Sequence, residues 1–212
     1  TGTGKTAAFG IPIIQKTKLK ELSPQTLILC PTRELCLQIS GDLTDYSKYI
    51  DDIKILPVYG GSSIDSQIRS LKRGVHIIVA TPGRLLDLIK RKTVSLDNVH
   101  TVVLDEADEM LNMGFTEDLD EILSYVPTTR SMLLFSATMP KGIDRITRKY
   151  MKDPMEITIG RKNEGALNVR HIYYVVHAKD KYLALKRIVD FYPNIYGIIF
   201  CRTRRETQEI AD

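Results

Sequence analysis

The sequence predicts an α/β protein built on a parallel β-sheet with helices on both of its faces. From Lys20 onward, short apolar runs alternate with longer amphipathic segments. This alternation is typical of strand-helix-strand units, which place parallel strands in one sheet. The apolar run 101–104 is the clearest strand, because continuous β-branched and aliphatic side chains indicate burial on both faces. Three carboxylates follow it, Asp105, Glu106 and Asp108, and we expect them at the carboxyl edge of the sheet, where such sheets bind ligands.

The other elements of this first unit follow from the same patterns. Apolar runs rich in β-branched residues predict strands at 26–30, 53–59, 76–81, 100–104, 131–136 and 155–159. Amphipathic spacing predicts helices near 33–49, 65–73, 82–92, 117–125 and 140–151. A further helix begins at Lys5. Pro12 should kink that helix or end it early, because proline has no N–H to donate.

A second unit is predicted near the end of the sequence. After residue 159 the periodicity lapses into glycine and polar residues, as in a connection between domains. We therefore expect a first domain over 1–160, a linker over 161–169 and the beginning of a second domain over 170–212. The second unit should contain strands at 171–176 and 197–201 and a helix near 180–192. It is too short to complete a core.

Composition is that of an ordinary globular protein. The 212 residues are 43% hydrophobic and 26% charged, with a formal net charge of +4. No apolar run approaches the roughly 18 residues of a membrane span, so we expect no membrane partner and a cytoplasmic location. The basic excess lies after residue 160, and a bias this small is usually a solvated surface, so it does not by itself establish nucleic-acid binding.

The cysteines and histidines do not suggest a metal site. Cys30, Cys36 and Cys201 have no Cys-x-x-Cys pairing and no histidine at metal-ligand spacing, which favours thiols buried in a reducing compartment. The four histidines fall at or beside predicted strands, where they are expected to satisfy core or edge hydrogen bonds: His76, His100, His171 and His177.

The sequence begins inside a phosphate-binding pattern. Thr1-Gly2-Thr3-Gly4-Lys5-Thr6 reads as the closing half of a P-loop, whose opening glycine and preceding strand would lie upstream of Thr1. We therefore expect the chain to be a fragment that lacks the first, central strand of its sheet. The helix that begins at Lys5 would direct free N–H groups and its positive dipole end at a phosphate. A lone motif of this kind is weak, but the acidic end of the run 101–104 supports a nucleoside triphosphate site.

Short polar signatures follow four other predicted strands. They are Pro31-Thr32-Arg33-Glu34-Leu35, Gly60-Gly61, Thr81-Pro82-Gly83-Arg84-Leu85 and Ser136-Ala137-Thr138. Each has an alternative interpretation as turn or helix-start chemistry, just as the acids after 101–104 could be an ordinary acidic helix start. That alternative does not explain why arginine, hydroxyls and exposed backbone recur at one edge of the sheet. Proteins use these groups to bind the sugar-phosphate backbone of a nucleic acid without contacting its bases.

Taken together, the motifs resemble those of the DEAD-box ATP-dependent RNA helicases of superfamily 2. The segments from Thr1–Thr6 to Ser136–Thr138 match in order, with Asp105-Glu106-Ala107-Asp108 among them and 198–203 in the second unit. The sequence around Asp108 and Phe135 is most similar to the bacterial DeaD-type branch. The resemblance implies a RecA-like P-loop domain, a parallel sheet sandwiched by helices, followed by the start of a second RecA-like domain.

The resemblance also implies a role for each motif. Lys5 would neutralise the β- and γ-phosphates of ATP, Thr6 and Asp105 would hold Mg²⁺, and Glu106 would orient and deprotonate the attacking water. Asp108 would link to Ser136 and Thr138, which couple hydrolysis to RNA handling in the family. ATP would also be held by Thr1, Gly2, Thr3 and Gly4. RNA would be contacted, mainly through its backbone, by Arg33, Gly60, Gly61, Thr81, Gly83, Arg84 and Thr203.

The function implied is that of a hydrolase and helicase, which couples ATP binding and hydrolysis to RNA binding and local separation of a short duplex. Alternatives are an ATP-gated RNA clamp with little unwinding, or another superfamily 2 translocase. The family's adenine-recognition segment would lie upstream of Thr1, and its arginine fingers beyond Asp212. We therefore expect residues 1–212 alone to be poorly active. Ribonucleoprotein partners cannot be named from the sequence.

Overall fold

The computed structural model describes residues 4–158 and 169–212. The chain divides into two compact units, Thr1–Glu164 and Gly165–Asp212. The predicted linker, 161–169, lies outside the described residues except for Val169.

The first unit contains a five-stranded sheet in which all the strands are parallel. The strands are β1 (Thr26–Leu29), β2 (Ile55–Val58), β3 (Ile77–Ala80), β4 (Thr101–Leu104) and β5 (Ser131–Leu134), in the order β2-β3-β1-β4-β5. Their register aligns the ends of neighbouring strands, since Leu29 pairs with both Ala80 and Leu104, and Leu104 pairs with Leu134. The residues that follow the strands therefore meet along one edge.

Helices cover both faces of this sheet. They are α1 (Lys5–Lys16), α2 (Arg33–Tyr46), α3 (Ile64–Lys72), α4 (Pro82–Lys90), α5 (Ala107–Asn112), α6 (Thr116–Ser124) and α7 (Lys141–Tyr150). Alternate residues of β1 face opposite sides, so that Ile28 packs with Phe9 and Ile39 of α1 and α2. Leu27 and Leu29 belong instead to the core that α4 to α7 cover. The predicted parallel α/β fold is confirmed, and continuous apolar strands are what burial on both faces requires.

Some predicted boundaries are wrong. The helix that begins at Lys5 does not end early at Pro12 but continues to Lys16, because Ile13 and Ile14 are buried against the sheet and compensate for the lost backbone hydrogen bond. The alternative effect of Pro12, a kink, stays a prediction. Residues 155–158 of the predicted sixth strand form no strand, and Ile159 lies outside the described residues. A strand needs a neighbouring ladder, and the described part of the chain supplies none for that segment. The sequence patterns also did not predict α5 as a separate helix, because it is only six residues long.

The second unit is helical where its described residues are regular. It contains a short 3₁₀ turn at Ala178–Asp180, then α8 (Lys181–Phe191) and α9 (Arg204–Ala211). The strands predicted at 171–176 and 197–201 are wrong within the described residues, and side chains such as Tyr173, Val175 and Phe200 are exposed. Extended segments become strands only when a neighbour pairs with their backbone groups.

The cysteine and histidine predictions have mixed outcomes. Cys30 and Cys36 are fully buried, whereas Cys201 is half-buried. His76 is buried and satisfied, because its Nδ1 accepts from Lys54 N–H at 2.9 Å and its Nε2 donates to the Leu19 carbonyl at 3.1 Å. The predicted roles of His171 and His177 as strand residues are wrong, since both are exposed outside any strand. His100 is also exposed, with its Nδ1 3.0 Å from the Thr101 hydroxyl.

None of the helices in 4–158 and 169–212 is long and apolar enough to cross a membrane.

Candidate functional site

The amino-terminal end of α1 lies near the end of β4, since the charge of Lys5 acts on Asp105. Gly4 precedes the helix with φ +73°, a left-handed conformation that a side chain would strain, and no described side chain caps the first turn. Among the described residues, no atom lies within 4 Å of the position that a Cβ on Gly4 would occupy. Uncapped N–H groups at a helix start attract anions through hydrogen bonds and the helix dipole. Thr1, Gly2 and Thr3 lie outside the described residues.

Asp105 is a buried carboxylate at the end of β4. It is 4% exposed, its N–H donates to the Leu29 carbonyl at 2.9 Å, and its Oδ1 accepts from Glu106 N–H at 3.0 Å. Burial raises the pKa of Asp105, while the charge of Lys5 and the Glu106 N–H oppose that rise. Lys5 and Asp105 therefore act on each other electrostatically, and the carboxylate is left with less compensating positive charge than its burial demands.

Glu106 adopts a conformation that is unusual for its residue type. Its φ is +50° and its ψ is +50°, in the left-handed region, at the position that precedes α5. The next residue is held in place by a neighbouring segment. Ala107 N–H donates to the carbonyl of Phe135, the residue that follows β5, at 3.0 Å. Backbone strain of this kind persists where the surroundings hold it, and it is often found at functional sites. Glu106 remains half-buried beside Asp105.

Asp108, in the first turn of α5, joins that helix to the segment after β5. Its Oδ2 accepts from the Thr138 N–H at 2.9 Å and from the Thr138 hydroxyl at 2.8 Å. The Ser136 hydroxyl donates to the Thr138 carbonyl at 2.6 Å. Burial pushes the pKa of Asp108 upward, but the two hydrogen bonds from Thr138, together with the nearby Ser136 hydroxyl, outweigh it and leave the pKa below its usual range. The Asp108 carboxylate is therefore ionised at neutral pH. Its hydrogen bonds contribute to stability until the pH falls through that lowered pKa.

Arg33 and the Gly60-Gly61 loop lie together at the end of β2. The Arg33 guanidinium lies 5.0 Å from the centroid of the Tyr59 ring, a cation–π contact. Its Nη1 is 3.4 Å from the position that a Cβ on Gly61 would occupy. Gly61 has φ +82°, so a larger residue there would be both strained and crowded against Arg33. Gly60 and Arg33 are exposed, which leaves this surface open to a ligand.

Arg84 is tied to the same loop from the neighbouring strand end. Its Nη1 donates to the Ser62 carbonyl and to Oε1 of Gln67, both at 3.1 Å. Thr81 precedes α4 and is half-buried, with no side-chain capping bond of its own, and Gly83 in the first turn is exposed. The structure thus brings the predicted contacts at 60–61 and 81–84 to one edge.

Sequence reasoning missed Gln67 and Tyr59. Gln67 is 5% exposed although it lies within α3, where a glutamine is ordinarily read as a solvated helix residue. The one sequence signal was its spacing, because it stands three positions from Ile64 and four from Leu71, on the face that packs against the core. Tyr59 closes the predicted strand 53–59, where an aromatic residue reads as part of the core.

Thr203 belongs to the second unit, and its predicted contact with RNA stays a prediction. Its Oγ1 accepts from Glu206 N–H at 3.1 Å, while Glu206 Oε2 accepts from Arg202 N–H at 3.0 Å. These reciprocal bonds form a capping box at the start of α9. The Thr203 hydroxyl thus has a structural role in addition to the contact predicted for it.

Comparison with known proteins supplies the family. The model of the DEAD/DEAH box helicase family matches residues 1–146. The DEAD-box ATP-dependent RNA helicase CshA of Geobacillus kaustophilus is 49% identical over 212 residues, which are 100% of this chain and 45% of that protein. The ATP-dependent RNA helicase CshA of Listeria monocytogenes is 50% identical over 211 residues, 100% of this chain and 40% of that protein. Both relatives are bacterial, in agreement with the predicted branch.

A solved structure agrees with the sequence relatives. The crystal structure of a DEAD box protein from the hyperthermophile Methanococcus jannaschii matches with a TM-score of 0.71 and 42% identity, over 100% of this chain and 56% of that one. The chain spans less than half the length of the curated relatives that it matches. A family model that covers most of the chain, and a solved structure that shares its fold, lead to the same conclusion: the chain belongs to the DEAD/DEAH box helicase family.

Proposed function

We propose that this chain forms the ATP-hydrolysing part of an ATP-dependent RNA helicase. One observation carries the proposal, the grouping of three features at the end of β4. They are the buried carboxylate of Asp105, the strained backbone of Glu106, and the start of α1, which no described side chain caps and where Lys5 acts on Asp105. ATP hydrolysis needs a group that binds the phosphates, a ligand for the metal ion and a base that activates water. The start of α1, Asp105 and Glu106 are proposed for these roles in that order. The predicted domain boundaries at 160 and 169, and the cytoplasmic location, stay predictions.

ATP binding is assigned to the start of α1. The free N–H groups of its first turn and the Lys5 ammonium would hold the phosphates, with Gly4 leaving room for their approach. Thr1, Gly2 and Thr3 are proposed to complete the loop.

The residues present fit a magnesium ion. Burial of Asp105 raises its pKa, and a divalent cation would supply the positive charge that this carboxylate lacks. No group of three or more His, Cys, Asp or Glu in 4–158 and 169–212 is arranged to hold a metal. Mg²⁺ does not need one, because it usually binds through one or two carboxylates together with substrate phosphates and waters. Asp105 and Thr6 are the proposed ligands, and the ion would neutralise charge on the phosphates.

Glu106 is proposed to act as the general base. Its left-handed backbone directs the residue away from the line of β4, beside Asp105 and at the start of α5. A base that activates water must not have its charge committed to a metal, so two carboxylates with separate roles are required. The anchoring of Ala107 to Phe135 would keep the base in place during turnover.

RNA binding is proposed for the exposed edge beside this site. Arg33, Gly60, Gly61 and the segment 81–84 present guanidinium groups, hydroxyl and open backbone, which suit a sugar-phosphate backbone. Thr203 is proposed to add a contact from the second unit. A preference for RNA over DNA would come from contacts with the 2′-hydroxyl.

Coupling between hydrolysis and strand separation is assigned to Asp108 and its partners. In the full-length protein, Thr138→Ala with Ser136→Ala is expected to reduce duplex separation about tenfold or more while sparing RNA-stimulated ATPase. The reason is that hydrogen bonds to a charged group are worth on the order of 1.5–3 kcal/mol. The bonds from Thr138 to Asp108 join α5 to the segment after β5 without involving the proposed phosphate site.

The matched control is Thr138→Ser, which keeps a hydroxyl for Asp108 and should restore unwinding. Unwinding of a short RNA duplex and steady-state ATPase are measured on the same samples. Equal losses of both activities in the double variant would show a plain catalytic or folding role and contradict the coupling assignment.

The function itself is tested by stimulation of ATP hydrolysis. Steady-state ATPase of the full-length protein is measured with Mg²⁺, alone and with single-stranded RNA or DNA of the same sequence. We expect strong stimulation by RNA and little by DNA. Stimulation by DNA alone would support a DNA translocase instead, and RNA stimulation without separation of a short duplex would support an ATP-gated clamp.

A further inference from the structure

Gln67 is a buried polar side chain whose hydrogen bonds all leave its own helix. Its Nε2 donates to the Tyr59 carbonyl at 3.1 Å and to the Ser62 hydroxyl at 2.7 Å. Its Oε1 accepts from Arg84 Nη1 at 3.1 Å. The amide thus connects the loop after β2 with the first turn of α4, two segments that are separate in the sequence.

The orientation of this amide is fixed by its partners. A carbonyl oxygen such as that of Tyr59 can only accept, so the nitrogen of Gln67 must face it. A guanidinium such as that of Arg84 can only donate, so the oxygen must face it. A flipped amide would set two acceptors together and two donors together. The network therefore has one consistent arrangement, which holds the Arg84 side chain in one position.

Packing of α3 does not require a polar residue at this position. Ile64, Ile68 and Leu71 of the same helix pack against the core, and an apolar side chain at 67 would extend that face. A buried amide carries a desolvation cost that only its hydrogen bonds recover. The residue is best explained by what it holds, which is Arg84 and the loop that carries Gly60 and Gly61.

We propose that Gln67 is a positioning residue that joins the Gly60-Gly61 loop and Arg84 into one preorganised surface for the RNA backbone. The inference rests on the proposed function, because it concerns how that function's RNA contacts are held. Arg84 has its Nη1 engaged by Gln67 and Ser62, so the guanidinium is already ordered before RNA arrives. An arginine left free would have to be ordered on binding, which weakens association.

The test uses the RNA dependence of ATPase activity in the full-length protein, with single-stranded oligouridylate as the probe. Gln67→Met, which keeps the length of the side chain and removes its hydrogen bonds, should raise the RNA concentration for half-maximal activity by roughly three- to tenfold. The maximal rate should stay within about twofold of that of the unaltered protein, since Gln67 contacts none of Lys5, Asp105 or Glu106 in the hydrogen bonds described.

A double-mutant cycle shows whether Gln67 acts through Arg84. If it does, the double variant Gln67→Met/Arg84→Ala should reach half-maximal ATPase activity at the same RNA concentration as Arg84→Ala alone, within about twofold. If Gln67→Met weakened RNA binding independently of Arg84, its effect would instead add to that of Arg84→Ala. Gln67→Asn, which keeps a buried amide but is one methylene shorter, should show the same RNA effect and provides a second variant if Gln67→Met does not fold.

Gln25 offers a matched control at the opposite end of the sheet. It is 1% exposed, and its amide is hydrogen-bonded to Lys18 and Glu21. Gln25→Met should lower the melting temperature without changing the RNA concentration for half-maximal activity. An unchanged RNA dependence in both Gln67 variants, or fully additive losses in the cycle, would overturn the inference while leaving the proposed function intact. Absence of RNA stimulation in the unaltered protein would overturn both.

Discussion

Glu106→Gln is expected to leave ATP bound but to slow its hydrolysis by about 10²–10⁴-fold, the usual contribution of a positioned general base. Glutamine keeps the size and the backbone preference of the residue, so the left-handed turn before α5 and the Ala107 anchor should persist. Only the ability to take a proton from water is removed. Single-turnover hydrolysis and nucleotide titration in the full-length protein, with saturating RNA, measure the two effects separately.

Glu109→Gln provides the control for this prediction. It is the same substitution three residues further along, within α5, at an exposed residue whose Oε2 accepts from Asn112 Nδ2 at 3.4 Å. This variant should hydrolyse ATP at nearly the normal rate. Near-normal hydrolysis by the Glu106→Gln protein would show that another group activates the water.

Lys5→Ala is expected to weaken nucleotide binding by at least about tenfold, because charge-assisted hydrogen bonds to phosphate are among the strongest single contacts. A second consequence follows from the structure. The charge of Lys5 restrains the pKa of Asp105, so its removal should raise that pKa further and let protons compete more strongly with the metal as the pH falls. Titration with a fluorescent ATP analogue at several Mg²⁺ concentrations measures both effects.

Lys16→Ala is the matched control, since Lys16 is an exposed lysine in the last turn of the same helix. It should bind nucleotide as the unaltered protein does. If Lys5→Ala bound ATP with unchanged affinity, the start of α1 would not be the phosphate site.

Much of the first unit could be predicted from sequence, because its strands are buried on both faces. Val102, Val103 and Leu104 are fully buried, and such a continuous apolar run is typical of a strand that helices cover on both sides. Ends of strands were less predictable, because Ile53 and Tyr59 are apolar yet lie outside β2. The predicted strands 171–176 and 197–201 are wrong because an apolar run shows that a segment is able to pair, not that a partner is present.

The candidate site was predictable in part for a similar reason. Asp105 and Glu106 stand directly after a recognisable strand, and the edge of a parallel sheet brings strand ends together. The strained backbone of Glu106 was not predictable, since glutamate gives no sign of positive φ. Gln67 was missed because its role depends on contacts with Tyr59 and Arg84, which are distant in sequence and adjacent only in the folded sheet.

The central claim is that the start of α1 and the acidic end of β4 form one ATP site beside the RNA-binding edge. A crystal structure of the full-length protein with Mg²⁺, a non-hydrolysable ATP analogue and single-stranded RNA tests it most directly. We expect the terminal phosphates within hydrogen-bond distance of Lys5 and the N–H groups of α1, the metal beside Asp105, and the RNA backbone against Gly61 and Arg84. Phosphates bound away from α1, or RNA bound away from Gly61 and Arg84, would contradict this account.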